Sequence, residues 1–178
     1  ASDEADSLQL FVNRFKGFTN HKLIFESTPT IRCRSRIEHL LLGSNRHQRY
    51  VPCPHCGTFQ VLRKGTENSP GGIKWDRNAA GESDVDIARR TAWFECASCR
   101  GRIENHHRVR MLRTGRWVPD GCKIDAAGRI TGIADHADCD SVGFGPLASW
   151  YSLTETWGSF PAVWLPAQKR PRDLQDVV

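Results

Sequence analysis

Apolar positions near the start of the chain recur at helical spacing. Leu8, Phe11, Val12 and Phe15 fall at i, i+3, i+4 and i+7. With Asp6 or Ser7 as cap and Gly17 closing the end, they predict a helix over residues 6–17. The run Lys22-Leu23-Ile24-Phe25-Glu26 suits a short buried strand. Ser27-Thr28-Pro29-Thr30 ends it, because Pro29 has no N–H for a ladder. Ser35-Arg36-Ile37-Glu38 spells a capping box ahead of Leu40-Leu41-Leu42 and a closing Gly43. Helix, strand, polar turn, helix is the grammar of an α/β unit.

From Arg49 the pattern changes to short β pieces, at Arg49–Val51, Phe59–Leu62 and Ala92–Glu95. Between the last two, Arg63–Arg90 is polar and Gly-rich. It reads as an excursion loop with Ile73 and Trp75 as its anchors to a core. Asn105 is placed to cap a helix over His106–Thr114, closed by Gly115. After Trp117 the chain reads as irregular to about Gly143. The tail then gathers aromatics: Phe144, Trp150, Tyr151, Trp157, Phe160 and Trp164. Ser159 can cap a helix over Phe160–Lys169, with Pro161 tolerated in its first turn and Pro166 kinking or ending it.

Composition bounds this picture. The chain has 178 residues and 20.1 kDa, with 39% hydrophobic and 25% charged residues and a mean hydropathy of −0.50. That is the composition of a soluble globular chain. No run approaches the ~20 apolar residues of a membrane span, and the acidic first residues do not form a secretory leader. With no initiator Met and an abrupt end at Asp176-Val177-Val178, the chain reads as a segment of something longer. The net charge of +5 favours anionic partners without naming one. Six arginines (100, 102, 108, 110, 113 and 116) face one acid, Glu104, and a second cluster lies between Arg32 and Arg49. Arginine suits bidentate phosphate contact, although either cluster alone also fits a solvated face.

The cysteines carry the strongest chemistry. Cys53-Pro-His-Cys56-Gly57 is answered by Cys96-Ala-Ser-Cys99-Arg100-Gly101, so four of seven cysteines form two C-x-x-C pairs. Two such knuckles supply the four thiolates that tetrahedral Zn²⁺ prefers, and four thiolates leave no open position for catalysis. The reading is a structural zinc ribbon on Cys53, Cys56, Cys96 and Cys99, against a thioredoxin-like redox pair or a chance pairing. The long spacer makes residues 63–91 an insertion between hairpins. His55 reads as a turn residue, with His106 and His107 as spare donors, while Cys33, Cys122 and Cys139 read as free thiols. Asp135, His136, Asp138, Cys139 and Asp140 read as a solvated loop. Asp3-Glu4-Ala5-Asp6 spells a helicase acidic box, but no apolar strand precedes it to place the carboxylates at a sheet edge. Ser27 and Thr28, at the end of a buried strand, stand where α/β nucleotide sites lie and are the candidates for sensing a γ-phosphate.

In one order, Lys22-Leu-Ile-Phe-Glu-Ser-Thr-Pro-Thr, Ser35-Arg36-Ile37-Glu38, Arg49-Tyr-Val-Pro-Cys-Pro-His-Cys-Gly, Trp93-Phe-Glu-Cys-Ala-Ser-Cys, His106-His107 and Gly115-Arg116-Trp117 resemble the lambda-like phage terminase large subunit (GpA) family. The resemblance runs from about Glu4 to Val178. It implies an α/β fold: residues 1–48 as the C-terminal part of a P-loop-type ATPase domain, 49–118 as the zinc-ribbon region, and 119–178 as an irregular α+β linker toward a nuclease domain. It further implies that Ser27 and Thr28 couple ATP state to movement, and that Arg14 matches an arginine of the preceding helix. The P-loop and nuclease carboxylates have no counterpart in these residues. For the full protein the family implies ATP with Mg²⁺, double-stranded DNA, a small subunit and a portal or procapsid as partners. The setting is the host bacterial cytoplasm, with no membrane. On this reading Arg100, Arg102, Arg108, Arg110, Arg113 and Arg116 face DNA phosphates. Cys33 stands where the family usually has Gly, Arg100 displaces the usual Gly after the second knuckle, and Pro166 interrupts the last helix. The rival reading is a stand-alone zinc-ribbon module binding nucleic acid or protein without enzymatic activity. It explains the zinc and the arginines but not the helix–strand–Ser-Thr-Pro–helix unit.

Overall fold

A computed structural model of the protein describes residues 7–27, 35–145 and 149–168. The first helix, α1 (Ser7–Phe15), forms where the apolar spacing places it. The expected strand over Lys22–Glu26 does not form: the segment has no regular structure, and Ile24 is 87% exposed. A strand exists only through a ladder, and among the described residues no strand lies beside this one. Helix α2 (Arg36–Leu42) begins after Ser35 and ends at Gly43 as the sequence predicts, but the Ser35 side chain makes no capping hydrogen bond.

Two small sheets follow. In the first, β1 (Asn45–Pro52) is flanked by antiparallel β2 (Phe59–Val61) and antiparallel β6 (Arg116–Pro119). A parallel strand, β9 (Val142–Phe144), pairs with the opening residues of β1. Because Tyr50 pairs with both Val61 and Arg116, and His47 with both Pro119 and Phe144, β2 and β9 share one edge end to end while β6 holds the other. The second sheet is β3 (Gly72–Lys74), β4 (Trp93–Glu95) and β5 (Arg102–Ile103), all antiparallel. The exposed hairpin of β7 (Lys123–Ile124) and β8 (Ile130–Thr131) stands apart from both.

The excursion between the hairpins is not structureless. Besides β3 it holds α3 (Val85–Thr91), capped by the Asp84 carboxylate, which accepts from the N–H groups of Asp86 and Ile87 at 3.0 Å each. Helix α4 spans Asn105–Thr114, so Asn105 is its first turn rather than its cap. The Asn105 side-chain oxygen accepts instead from the Trp157 N–H at 2.8 Å. Helix α5 (Ser159–Gln168) continues through Pro166. It packs on α3 with a close approach at Gly158, where any Cβ would run into the Arg89 carbonyl.

One core serves both sheets. Val51, Leu62, Ile73, Phe94, Ile103, Met111 and Trp157 are buried together, with Trp75, Trp150, Tyr151 and Phe160 packed against them. Phe94 and Trp157 lie 5.3 Å apart, centroid to centroid. The segment expected as an irregular linker therefore supplies a central side chain to the cysteine region.

Candidate metal centre

Each cysteine pair sits on a tight turn at the end of a hairpin, and the two turns repeat one another bond for bond. In the first, Cys53 N–H donates to the Thr58 carbonyl and Gly57 N–H to the Cys53 carbonyl, both at 2.9 Å. In the second, Cys96 N–H donates to the Gly101 carbonyl and Arg100 N–H to the Cys96 carbonyl, both at 3.0 Å. Both turns need a left-handed residue directly after the second cysteine, which is Gly57 (φ 74°) in one and Arg100 (φ 59°) in the other. Gly tolerates that conformation freely, whereas a side chain costs about 1 kcal/mol or more. Gly101 serves a different need: a Cβ there would lie 2.8 Å from the His55 ring and 3.2 Å from Cys99 Sγ.

The turns face each other. Cys53 Sγ lies 3.8 Å from Cys99 Sγ, and Cys56 Sγ lies 3.9 Å from Cys96 Sγ. All four sulfurs fall within 4.8 Å of one another, and among the described residues no other group of three or more Cys, His, Asp or Glu side chains converges in this way. A tetrahedron with ~2.3 Å metal–sulfur bonds has edges of about 3.8 Å, so the spacing fits one four-coordinate ion. Backbone N–H groups support the sulfurs: His55 N–H points at Cys53 Sγ and Ser98 N–H at Cys96 Sγ, each at 3.4 Å. Taken as thiols, the set is electrostatically uneven. Burial pushes Cys53 up to about 12, while hydrogen bonds from Thr58 bring Cys56 down to about 6. A cation among the four removes that unevenness by holding every sulfur as thiolate.

Side chains clasp the two turns together. His55 Nε2 donates to the Arg102 carbonyl at 2.8 Å, and Ala97 N–H donates to Gln60 Oε1 at 3.1 Å. His55 is thus a brace between the knuckles and no part of the sulfur cluster. Its ring lies 5.5 Å from that of His107, which in turn neighbours His106.

Residues 1–117 match the family described as phage terminase large subunit gpA, ATPase domain. The chain belongs to the phage terminase large subunit family. The terminase large subunit of Enterobacteria phage P21 is 32% identical over 167 residues, which are 93% of this chain and 25% of that protein. The terminase large subunit of Escherichia phage lambda is 40% identical over 63 residues, 35% of this chain and 10% of its own length. The chain thus spans about a quarter of the length of its P21 relative. No solved structure matches it.

Within this terminase chain the remaining expected site residues scatter. Ser27 is exposed at the end of the irregular run, and Thr28 lies outside the described residues, as do Cys33 and Asp3-Glu4-Ala5-Asp6. The arginine cluster divides. Arg110, Arg113 and Arg116 are exposed, and among the described residues none of them makes an ion pair. Arg100 is 3.5 Å from Glu95, while Arg102 is 2.6 Å from Glu104 and stacks over Trp93. Arg108 does not face outward at all: it is 3% exposed. Its guanidinium donates to the carbonyls of Trp150, Ser152 and Glu155 and lies 5.3 Å from the Trp157 ring. The physical reason is its place on α4, where Arg108, Met111 and Leu112 share the inward face at i, i+3 and i+4. Arg49, at the end of the second arginine cluster, is also turned in, donating to the Leu112 carbonyl at 2.8 Å. No helix among the described residues is long and apolar enough to cross a membrane.

Proposed function

We propose that this chain is the central segment of a DNA-packaging large subunit that drives double-stranded DNA into a procapsid with ATP and Mg²⁺ and cuts concatemeric DNA. The match of residues 1–117 to the family's ATPase domain carries the reading, and it favours a packaging enzyme over a stand-alone zinc-ribbon module. In this role the exposed Ile24 and Phe25 form a strand beside a neighbouring element of the full protein, which places Ser27 and Thr28 at its end to couple ATP state to movement. Zinc on Cys53, Cys56, Cys96 and Cys99 is structural, because four thiolates close its coordination. The ion supplies a cross-link between the two hairpins, and the residues around it do the rest. The exposed Arg100, Arg102, Arg110, Arg113 and Arg116 contact DNA phosphates without reading bases. A small subunit and a portal or procapsid are its partners, in the host bacterial cytoplasm.

The test uses the full-length protein. Thr28→Ala combined with Ser27→Ala should leave ATP hydrolysis measurable and abolish DNA packaging. Packaging at the unaltered rate would remove the coupling role. A full-length protein that hydrolyses no ATP in the presence of DNA would remove the packaging reading itself.

A further inference from the structure

Away from the cysteines, the excursion loop and α5 enclose a cleft of about 360 Å³. That is the size of a small-ligand pocket, and too small for a base pair within a duplex. Its charges are already assigned, with one exception. Lys74 Nζ spends its three donors on the carbonyls of Thr66, Glu67 and Ser69, at 2.5, 2.9 and 3.0 Å. Arg77 holds the Gly81 carbonyl at 2.6 Å and the Glu67 carboxylate, which is the single acid on the lining. The Lys64 ammonium has neither a hydrogen bond nor a carboxylate partner among the described residues, although the residue's backbone carbonyl accepts from the Ile73 N–H at 2.8 Å. The ammonium rests 3.4 Å from the centroid of the Trp164 ring. Burial holds its pKa below the ordinary lysine value.

The aromatic rings divide in the same way. One side of Trp164 carries Lys64, and Phe160 stacks on it at 5.9 Å. Trp75 is fixed by its Nε1–H to Ser83 Oγ at 3.1 Å, with its ring 6.3 Å from that of Trp164. The Lys74 tripod pins the loop, so this arrangement is preformed.

We propose that this cleft binds one unpaired nucleotide, its phosphate on Lys64 and its base against Trp75. A free nucleotide and a nucleotide of a single strand share that chemistry. The pocket goes beyond the packaging role and does not depend on the metal centre.

The experiment titrates the 178-residue chain into a fluorescein-labelled thymidine hexamer and follows anisotropy, with unlabelled dTMP, hexamer and a 12-base-pair duplex as competitors. Saturable binding is expected, displaced by hexamer and not by duplex; displacement by dTMP as well identifies a free-nucleotide site, and its absence a strand site. Lys64→Met and Trp75→Leu should each weaken binding by about tenfold or more, Lys64→Arg should restore it, and Lys123→Glu on the exposed β7–β8 hairpin should leave hexamer binding within about twofold. Circular dichroism and metal content confirm folding, and Trp75→Leu with Lys64→Arg decides the matter if Lys64→Met fails to fold. No saturable binding, unchanged binding in Lys64→Met or Trp75→Leu, or equal competition by duplex would overturn the proposal.

Discussion

The Tyr151 hydroxyl donates to the Arg49 carbonyl at 3.0 Å and fills the break between β9 and β2 along that edge of β1. The same oxygen accepts from the Leu62 N–H at 2.8 Å, and Trp150 Nε1 donates to the Leu62 carbonyl at 3.2 Å. Two consecutive side chains from the tail thus satisfy both backbone groups of Leu62, where the ladder of β2 stops.

Tyr151→Phe should therefore destabilise the chain by about 1–3 kcal/mol, because it leaves a buried N–H and a buried carbonyl unpaired. Burial raises the Tyr151 pKa above the ordinary tyrosine value. A folded-state pKa above the unfolded one means that the folded protein holds its proton longer, so this contribution is complete below about pH 10 and drains away as pH rises past it. Urea melts at pH 7 and pH 10.5 check both points. The gap between the two proteins should narrow at the higher pH, and a constant gap would count against the role of the hydroxyl.

The metal centre should hold one zinc per chain, measured by atomic emission after dialysis. Cys53→Ser removes a buried ligand and should abolish stoichiometric retention. A chelator should lower the melting temperature of the unaltered chain toward that of Cys53→Ser, since a preformed site does not exist in the unfolded chain. If chelation leaves the melt unmoved, the sulfurs do not hold a structural ion.

Arg108 and Arg113 lie on one helix and should behave oppositely. Arg108→Met strips the donors from three carbonyls and should cost about 3 kcal/mol or more. Arg113→Glu should barely touch stability. It should instead weaken DNA binding and reduce the slope of log affinity against log salt by about 1. Paired thermal melts and salt titrations separate the two.

At the second knuckle, Arg100→Gly should stabilise the chain by about 0.5–1 kcal/mol, because it relieves a left-handed side chain and gives up only an exposed contact with Glu95. Gly101→Ala should do the reverse, pressing on the His55 ring and Cys99 Sγ. It should weaken zinc retention in a competition with a colorimetric chelator.

The cysteine pairs and strands β1, β2 and β4 beside them were legible because their chemistry is local: the C-x-x-C spacing sets the turn, and flanking apolar residues set the hairpin; the two-residue β5 after the second pair was not. Helices α1 and α2 were legible from apolar spacing and α5 in its position, but not all the ends of α2 and α5 were: Ser35 makes no capping bond, Ser159 is the first helical residue, and Pro166 does not end α5. The short β3 and α3 were not, since a three-residue strand carries no period. The Asp84 cap was their available signal, as Arg108-Met111-Leu112 spacing was for the inward arginine. Lys22–Glu26 shows the opposite failure. Its apolar run has the composition of a strand, yet composition does not provide a neighbour to pair with.

Trp157 has a mechanical meaning as well as a packing one. Its indole sits against Phe94 one residue before the close approach of Gly158 to Arg89, so α5 is bolted to the cysteine region at two adjacent points. A load applied through α5 is passed by packed contact to β4, the strand that leads into Cys96, rather than through a slack tether. The paired cysteine hairpins are then the anvil against which that load is borne.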